Sequence, residues 1–368
     1  MGKLRIAFFG SSLVSAYWNG AATYYRGIIR YLHARGHSIT FYEPDAFERQ
    51  KHRDMEDPPW CDVVVYSGTD ARDVDRVLSS ARRADVLVKA SGVGVWDELL
   101  EREILSAGRP GSLAVYWDVD APATLARLRA APDDPLRKLI PKYDLVLTYG
   151  GGEPVIRGFR DIGARECAPV YNGVDPQTHH SVAPEPRFAC DLALLANRLP
   201  DREKRVDTFF FEPAARMPEK RWILGGNGWA DKPMPPNVTA LGHVYTADHN
   251  ALNSTALAVL NVARDSMADV GWSPATRIFE AAGAGACIIS DMWRGLDDFL
   301  APGTEVLVAE SGEDVVRLLR GLSQGAARAI GEAAQRRVLK SHTYSERARQ
   351  VELLLRHHAV DVKGVFPL

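Results

Sequence analysis

Short apolar runs recur along the first half of the chain, and each is followed by a stretch with helical spacing. Leu4 to Phe9 is the first run, with Gly10-Ser11-Ser12 as its exit turn. Ala21 to Arg35 then has the apolar period of a helix, with Gly36 just past its end. Ser38 to Tyr42, Val63 to Tyr66, Val86 to Ala90, Leu113 to Trp117, Leu145 to Tyr149 and Cys167 to Val170 read as further strands. This alternation predicts a parallel sheet with helices on both faces. Turn formers and prolines at Asn172 to Pro176 and Ala183 to Pro186 interrupt the rhythm and read as a linker.

The pattern then restarts. Leu192 to Leu195, Trp222 to Leu224, Ala258 to Val262 and Cys287 to Ser290 read as strands, and Val206 to Arg216, Thr276 to Ala284 and Glu313 to Leu322 as helices. The expected fold class is α/β, with two doubly wound domains at 1–178 and 188–340. A last segment at 341–368, amphipathic over Tyr344 to His358, is expected to cross back onto the first domain. Two such sheets, facing each other, would leave a deep interdomain cleft at the carboxyl ends of their strands, where ligands bind.

Composition narrows the partners. The 368 residues are 46% hydrophobic, enough for two cores, and the formal net charge of -2 offers no broad basic field for a polyanion. Cys61, Cys167, Cys190 and Cys287 are widely spaced, without C-x-x-C or metal-ligand spacing, and read as reduced thiols. No signal peptide or long apolar span is expected, so the chain reads as cytoplasmic.

Candidate chemistry concentrates at Trp272 to Ala286. Ser273-Pro274 is expected to open a helix whose first-turn N–H groups face outward and suit phosphate. Glu280 lies four residues beyond Thr276 on the same face, where a carboxylate can grip a vicinal ribose diol. The same spacing is also that of an ordinary capped helix with a solvated Glu.

The run from Leu260 to Ser311 resembles the C-terminal half of the group 1 glycosyltransferases, in particular the branch related to the spore maturation protein CgeB. The matching words are LNVARDSMADVGWSPATRIFEAAGAGACIISD, Gly295-Leu296 to Phe299, and Pro302 to Val306. The resemblance implies a GT-B fold of two facing Rossmann-like domains, with Glu280 on the donor ribose and Ser273, Thr276 and Arg277 near the diphosphate. The commoner family pattern has a further Glu eight residues before Glu280. This chain has Trp272 there, which leaves Asp265, Asp269 or a backbone group to meet the sugar and leaves the stereochemistry open.

Ala196 to Arg205 resembles the loop that places basic residues on the donor diphosphate, which makes Arg198, Arg202 and Lys204 candidates; a solvated charged loop is the plainer reading. Gly226 and Asn227 follow the next strand, where glycine admits a close ligand, and His243-Val244 resembles the strand beside the nucleobase. In the first half, Asn19, Gly20 and Ala21 resemble a glycine loop facing the donor phosphates and acceptor, while His37 reads as a turn residue. If the reaction inverts, a general base is needed. Asp120, then Asp118, in Tyr116 to Pro122 is the candidate, with helix capping as the alternative for Asp120. His179-His180 reads as loop.

G-x-S-x-G, H-E-x-x-H and a Walker phosphate loop are all absent from the sequence. The reading is a hexosyltransferase-class enzyme moving sugar from a nucleotide-diphosphate sugar to an unidentified acceptor, whether polysaccharide, metabolite, protein or nucleic acid. No cofactor and no metal site are expected. A sugar-nucleotide epimerase of the same fold and a non-catalytic nucleotide-sugar-binding protein are the alternatives; a phosphorylase would need a pyridoxal phosphate lysine, for which no motif speaks.

Overall fold

A computed structural model describes residues 2–17 and 19–363; Met1 and residues 364–368, the end of the expected 341–368 segment, lie outside the described residues. The chain divides into two units. The first holds residues up to Tyr171 together with the chain from Tyr344 onward, and the second is Asn172–Thr343.

The first unit is built on seven parallel strands: β1 (Arg5–Phe9), β2 (Ser38–Asp45), β3 (Asp62–Ser67), β4 (Val86–Ala90), β5 (Leu113–Asp118), β6 (Leu145–Thr148) and β7 (Cys167–Pro169). Their order is β3-β2-β1-β4-β5-β6-β7, so the direction of winding reverses between β1 and β4. Every expected strand of this half is present, and the central strands β4, β5 and β6 are apolar runs buried on both faces. The helix expected at Ala21 to Arg35 is Ala22–Ala34. Phe8 packs against Tyr25, Phe41 and Trp117 in the core.

The long helix Tyr344–Lys363 belongs to this unit. Tyr344, Ala348, Val351 and Leu355 are buried in the same core. Gly27 makes the close approach possible, since a Cβ there would collide with the Tyr344 ring.

The second unit has six parallel strands, β8 (Leu192–Leu195), β9 (Trp222–Gly225), β10 (Val238–Gly242), β11 (Ala258–Asn261), β12 (Ile288–Asp291) and β13 (Leu307–Ala309), ordered β10-β9-β8-β11-β12-β13. Its winding reverses between β8 and β11. β10 and β13 lie at the two edges, and β10 is largely exposed, so neither shows the apolar run of a central strand. The strand expected at His243-Val244 therefore lies just before those residues, and they follow it as a turn. The helix expected at Val206 to Arg216 is Pro200–Val206, a π turn at Asp207–Phe211, and Glu212–Arg216. Pro213 has no N–H to give the carbonyl of Phe209, which favours the wider turn there.

The segment read as linker is part of the second unit's packing. Asn172 is buried and its Nδ2 donates to the carbonyl of Pro274 at 3.3 Å, while the N–H of Val174 donates to the carbonyl of His342 at 2.8 Å. The division of the chain consequently falls before Asn172 rather than after residue 178.

One buried acid in the first unit sets a pH dependence. Glu101, on the helix Asp97–Ala107, has its carboxyl pushed from the ordinary 4.5 up to about 7, chiefly by burial. The folded chain then holds this proton more tightly than the unfolded chain, so stability is complete below about 4.5 and is lost as pH rises through about 7. A Glu101→Gln chain lacks this loss. Its stability advantage over wild type, measured by urea unfolding, should grow by on the order of 3 kcal/mol between pH 4.5 and pH 8. Parallel pH profiles would show that Glu101 ionises normally.

Candidate active site

In the second unit, the crevice outside the carboxyl ends of β8 and β11 is where an open doubly wound sheet offers room for a ligand. Polar side chains collect there. Asn261 ends β11, and Asp291 ends β12 fully buried, accepting the N–H of Ala263 at 3.0 Å and Arg205 Nη2 at 2.7 Å. Asn261 receives Arg277 Nη1 at 3.4 Å on its Oδ1 and gives its Nδ2 to Ser290 Oγ at 3.0 Å.

Arg202 is the unusual member. It lies on Pro200–Val206, directly after β8, and only 8% of it is exposed. One guanidinium nitrogen donates to the carbonyl of Asn197, but Nε has no hydrogen-bond partner. Burial, followed by repulsion from Arg277, pushes its pKa from 12.5 down to about 9, and Arg264 adds further repulsion. The nearby carboxylates are committed elsewhere, with Asp201 on Arg264 at 2.6 Å and Asp291 on Arg205. A buried guanidinium facing other cations, with a spare donor, is arranged to receive an anion.

Arg198 is differently employed. It forms a two-pronged pair with Glu203 at 2.7 and 2.8 Å and reaches Asp231 at 2.9 Å, and these carboxylates hold its pKa above the ordinary value. Arg198 thus braces its own loop. Lys204 and Arg205 line an open cavity of about 670 Å³ with Thr208, Asp265 and Glu310.

The helix expected from Ser273 is Thr276–Gly283. Ser273 does not cap it: Ala275 occupies that position without a side-chain bond, and Ser273 Oγ instead donates to the carbonyl of Gly271 at 3.0 Å. Trp272 has a left-handed φ of 43°. Its indole N–H donates to Asp298 at 2.6 Å, which ties the residue standing in place of the family's upstream Glu to the 294–298 segment. Asp269 is exposed, and Asp265 lies 3.7 Å from Arg205.

Glu280 lies on the Thr276–Gly283 helix, 16% exposed at its side chain, with His179 Nε2 3.7 Å away. His179 lies in a loop, as read from the sequence, but its side chain is not solvated: it is 2% exposed and belongs to the second unit's interior. Gly226 is required by its φ of 130° and by the backbone of Ala196, which a Cβ would strike, so the glycine serves the junction of β8 and β9. The N–H of Asn227 donates to Asn197 Oδ1 at 2.9 Å and its carbonyl accepts from Arg198. His243 is exposed, and the carbonyl of Val244 accepts from His249 Nε2 at 3.2 Å.

In the first unit, Asp118 ends β5 completely buried. Its Oδ1 accepts Ser91 Oγ at 2.8 Å and the Asp120 N–H at 2.9 Å, and burial raises its pKa. That placement makes Asp118 a brace beneath the turn and removes it as a base reaching substrate. Asp120 sits at the N-cap of Ala121–Ala130 and is half-buried, but its side chain makes no capping bond. Asn19 is also a brace: its Nδ2 donates to the carbonyls of Ser12 and Ser15 at 2.9 and 3.0 Å, and Oδ1 accepts Ser11 Oγ. Gly20 is exposed, and Ala21 precedes the first helix without a side-chain cap. His37 is buried, its Nδ1 accepting the N–H of Leu4 at 3.1 Å.

Arg264, His179 and His249 were not among the candidates read from sequence. Arg264 stood within the matching words, whereas neither histidine had a partner at motif spacing.

Residues 202–352 match the family described as Glycosyl transferase-like. Solved structures share the fold along nearly all of the chain. HepE from Anabaena, in complex with UDP and glucose, is 14% identical, with 96% of this chain and 100% of its own covered at a TM-score of 0.67. Sucrose-phosphate synthase from Thermosynechococcus elongatus is 13% identical, with 96% and 99% covered and a TM-score of 0.70. An alpha-glucosyltransferase in complex with UDP and a 13-mer DNA containing an HMU base is 11% identical, with 96% and 99% covered and a TM-score of 0.63. No curated protein matches in sequence. Residues 202–352 are thus similar to the Glycosyl transferase-like family, and the chain has the two-sheet GT-B fold of these solved structures. Among the described residues no helix is long and apolar enough to cross a membrane.

The buried charge of Arg202 gives opposite effects on stability and binding. Arg202→Met, which keeps the volume and removes the charge, should stabilise the unliganded protein by roughly 1–3 kcal/mol in thermal or urea unfolding. The same variant should weaken binding of inorganic pyrophosphate at least about tenfold by calorimetry. A destabilised variant with unchanged pyrophosphate affinity would mean that Arg202 is only structural.

Proposed function

We propose that the protein moves a hexose-class sugar from a nucleotide-diphosphate sugar to an acceptor hydroxyl, with the donor held in the Asn172–Thr343 unit. The observation that carries this reading is the partly unsatisfied guanidinium of Arg202 among Arg264 and Arg277 at the strand ends. The donor diphosphate would sit against Arg202 and the first turn of Thr276–Gly283, where backbone N–H groups and the helix dipole add to the positive charge. Glu280 would hold the ribose diol, and the turn at His243-Val244 would lie beside the base. The complexes of HepE with UDP and with UDP-glucose make uridine the first base to test.

In the transfer, the acceptor oxygen attacks the anomeric carbon while the bond from that carbon to the diphosphate oxygen breaks. The acceptor proton goes to Asp120, and the nucleoside diphosphate leaves with its negative charge matched by arginines and amide dipoles. This reading is of an inverting transfer. Its charge balance is supplied by protein groups, so we assign no cofactor and no obligatory metal. The four cysteines are free, which fits a reducing, cytoplasmic setting. The CgeB-related branch remains our assignment within the wider family.

Two variants separate the roles. Glu280→Ala should lower the affinity for UDP about tenfold or more in calorimetry; unchanged affinity would remove Glu280 from the donor site. Asp120→Asn should reduce kcat by on the order of 10²–10⁴-fold while leaving UDP affinity intact. Retention of most of the turnover would remove Asp120 as the base.

A further inference from the structure

Three side chains from separate parts of the second unit converge beside the helix that carries Glu280. His179 comes from the turn after Asp175, His249 from the helix Thr246–Thr255, and Glu280 from Thr276–Gly283. One ligand atom from each lies within 4.8 Å of the other two.

His179 is 2% exposed, and its Nε2 has no hydrogen-bond partner. The nearest carboxylate oxygen, Glu280 Oε1, is 3.7 Å from that nitrogen, beyond hydrogen-bond distance. A buried ring nitrogen in this state is costly unless something else engages it. His249 is oriented from behind: its Nε2 lies 3.2 Å from the carbonyl of Val244. A carbonyl only accepts, so Nε2 carries the proton and Nδ1 holds the lone pair. A ring N–H given to a backbone carbonyl is the usual outer support of a metal-binding histidine.

We propose that His179, His249 and Glu280 bind a divalent transition metal of the zinc class, and that this metal competes with the donor ribose for the Glu280 carboxylate. Two imidazoles and one carboxylate form a three-ligand zinc set that leaves the fourth position to water. Bonds of about 2.0–2.2 Å separate tetrahedral ligands by roughly 3.5 Å, so the three groups must draw in by about 1 Å, within reach of rotation about the Glu280 and His249 side-chain bonds. The competition rests on the donor assignment above: a carboxylate oxygen bound to metal cannot also accept from a ribose hydroxyl. Metal at this site would therefore restrain the enzyme rather than serve its chemistry.

The test uses the full chain, stripped with a chelator and titrated with Zn²⁺ against a chromophoric indicator, and with Co²⁺ followed by its visible absorption. One tight zinc site and a four-coordinate cobalt spectrum are expected. His249→Gln, at a half-buried position, and Glu280→Gln should each weaken the site at least about tenfold, whereas His180→Gln, the exposed neighbour, should leave it unchanged. Absence of a tight site, or zinc binding unaltered in a folded His249→Gln chain, would overturn the proposal. This arm contains no nucleotide, so it stands or falls apart from the donor assignment. In the second arm, UDP affinity is measured with and without saturating Zn²⁺, and His249→Gln serves as the control for zinc bound by UDP itself. Zinc should weaken UDP binding in the wild type beyond the change in the variant. Equal changes in both proteins, or tighter binding in the wild type, would overturn the competition.

Discussion

The organisation of the second unit turns on how positive charge is kept at the ends of β8, β11 and β12. Arg202 is held under the surface with one donor unused, while the two carboxylates that could have neutralised it are engaged by Arg264 and Arg205. Burying a guanidinium without a matched anion costs several kcal/mol, so the surrounding packing must hold it in place. That packing is visible in the lacing of the loops after β8 and β9, where the N–H of Asn227 donates to Asn197 and its carbonyl accepts from Arg198, and in the fixed pair of Arg198 with Glu203. Arg198 is a strut, whereas Arg202, four residues on, keeps its Nε without a partner.

The second unit also shows why some of the site was hidden in the sequence. Strands in the middle of both sheets announce themselves as continuous apolar runs, and Val86–Ala90, Leu113–Asp118 and Leu192–Leu195 were legible for that reason. The edge strands Val238–Gly242 and Leu307–Ala309 and the helix Gln324–Ser341 carried too little contrast between faces. The helix that carries Thr276, Arg277 and Glu280 was legible from spacing together with family resemblance. The approach of His179 to Glu280 was not, since it depends on residues 172–183 folding into the second unit instead of serving as a free linker. No local pattern encodes that packing.

Composition alone could not separate acids that brace from acids that react. Asp118 and Asp120 are two residues apart, yet one is sealed under Ser91 and the following turn while the other remains half-buried at a helix start. Asn19 looked like part of a ligand-facing loop, but its amide is spent on the carbonyls of Ser12 and Ser15. Short polar side chains near strand ends have backbone groups to satisfy before any ligand arrives, and burial decides which of them are left over.

The central claim is that the Asn172–Thr343 unit holds a nucleoside diphosphate through its buried cationic cluster. Thermal unfolding of the full chain in the presence of uridine, UMP, UDP and the other common nucleoside diphosphates tests it most directly, because a ligand that binds only the folded state raises the melting temperature. At least one diphosphate should raise it by several degrees, its monophosphate less, and its nucleoside hardly at all, with the shift shrinking as salt is added. Equal shifts from nucleoside and diphosphate, or no shift from any diphosphate at millimolar concentration, would contradict the account.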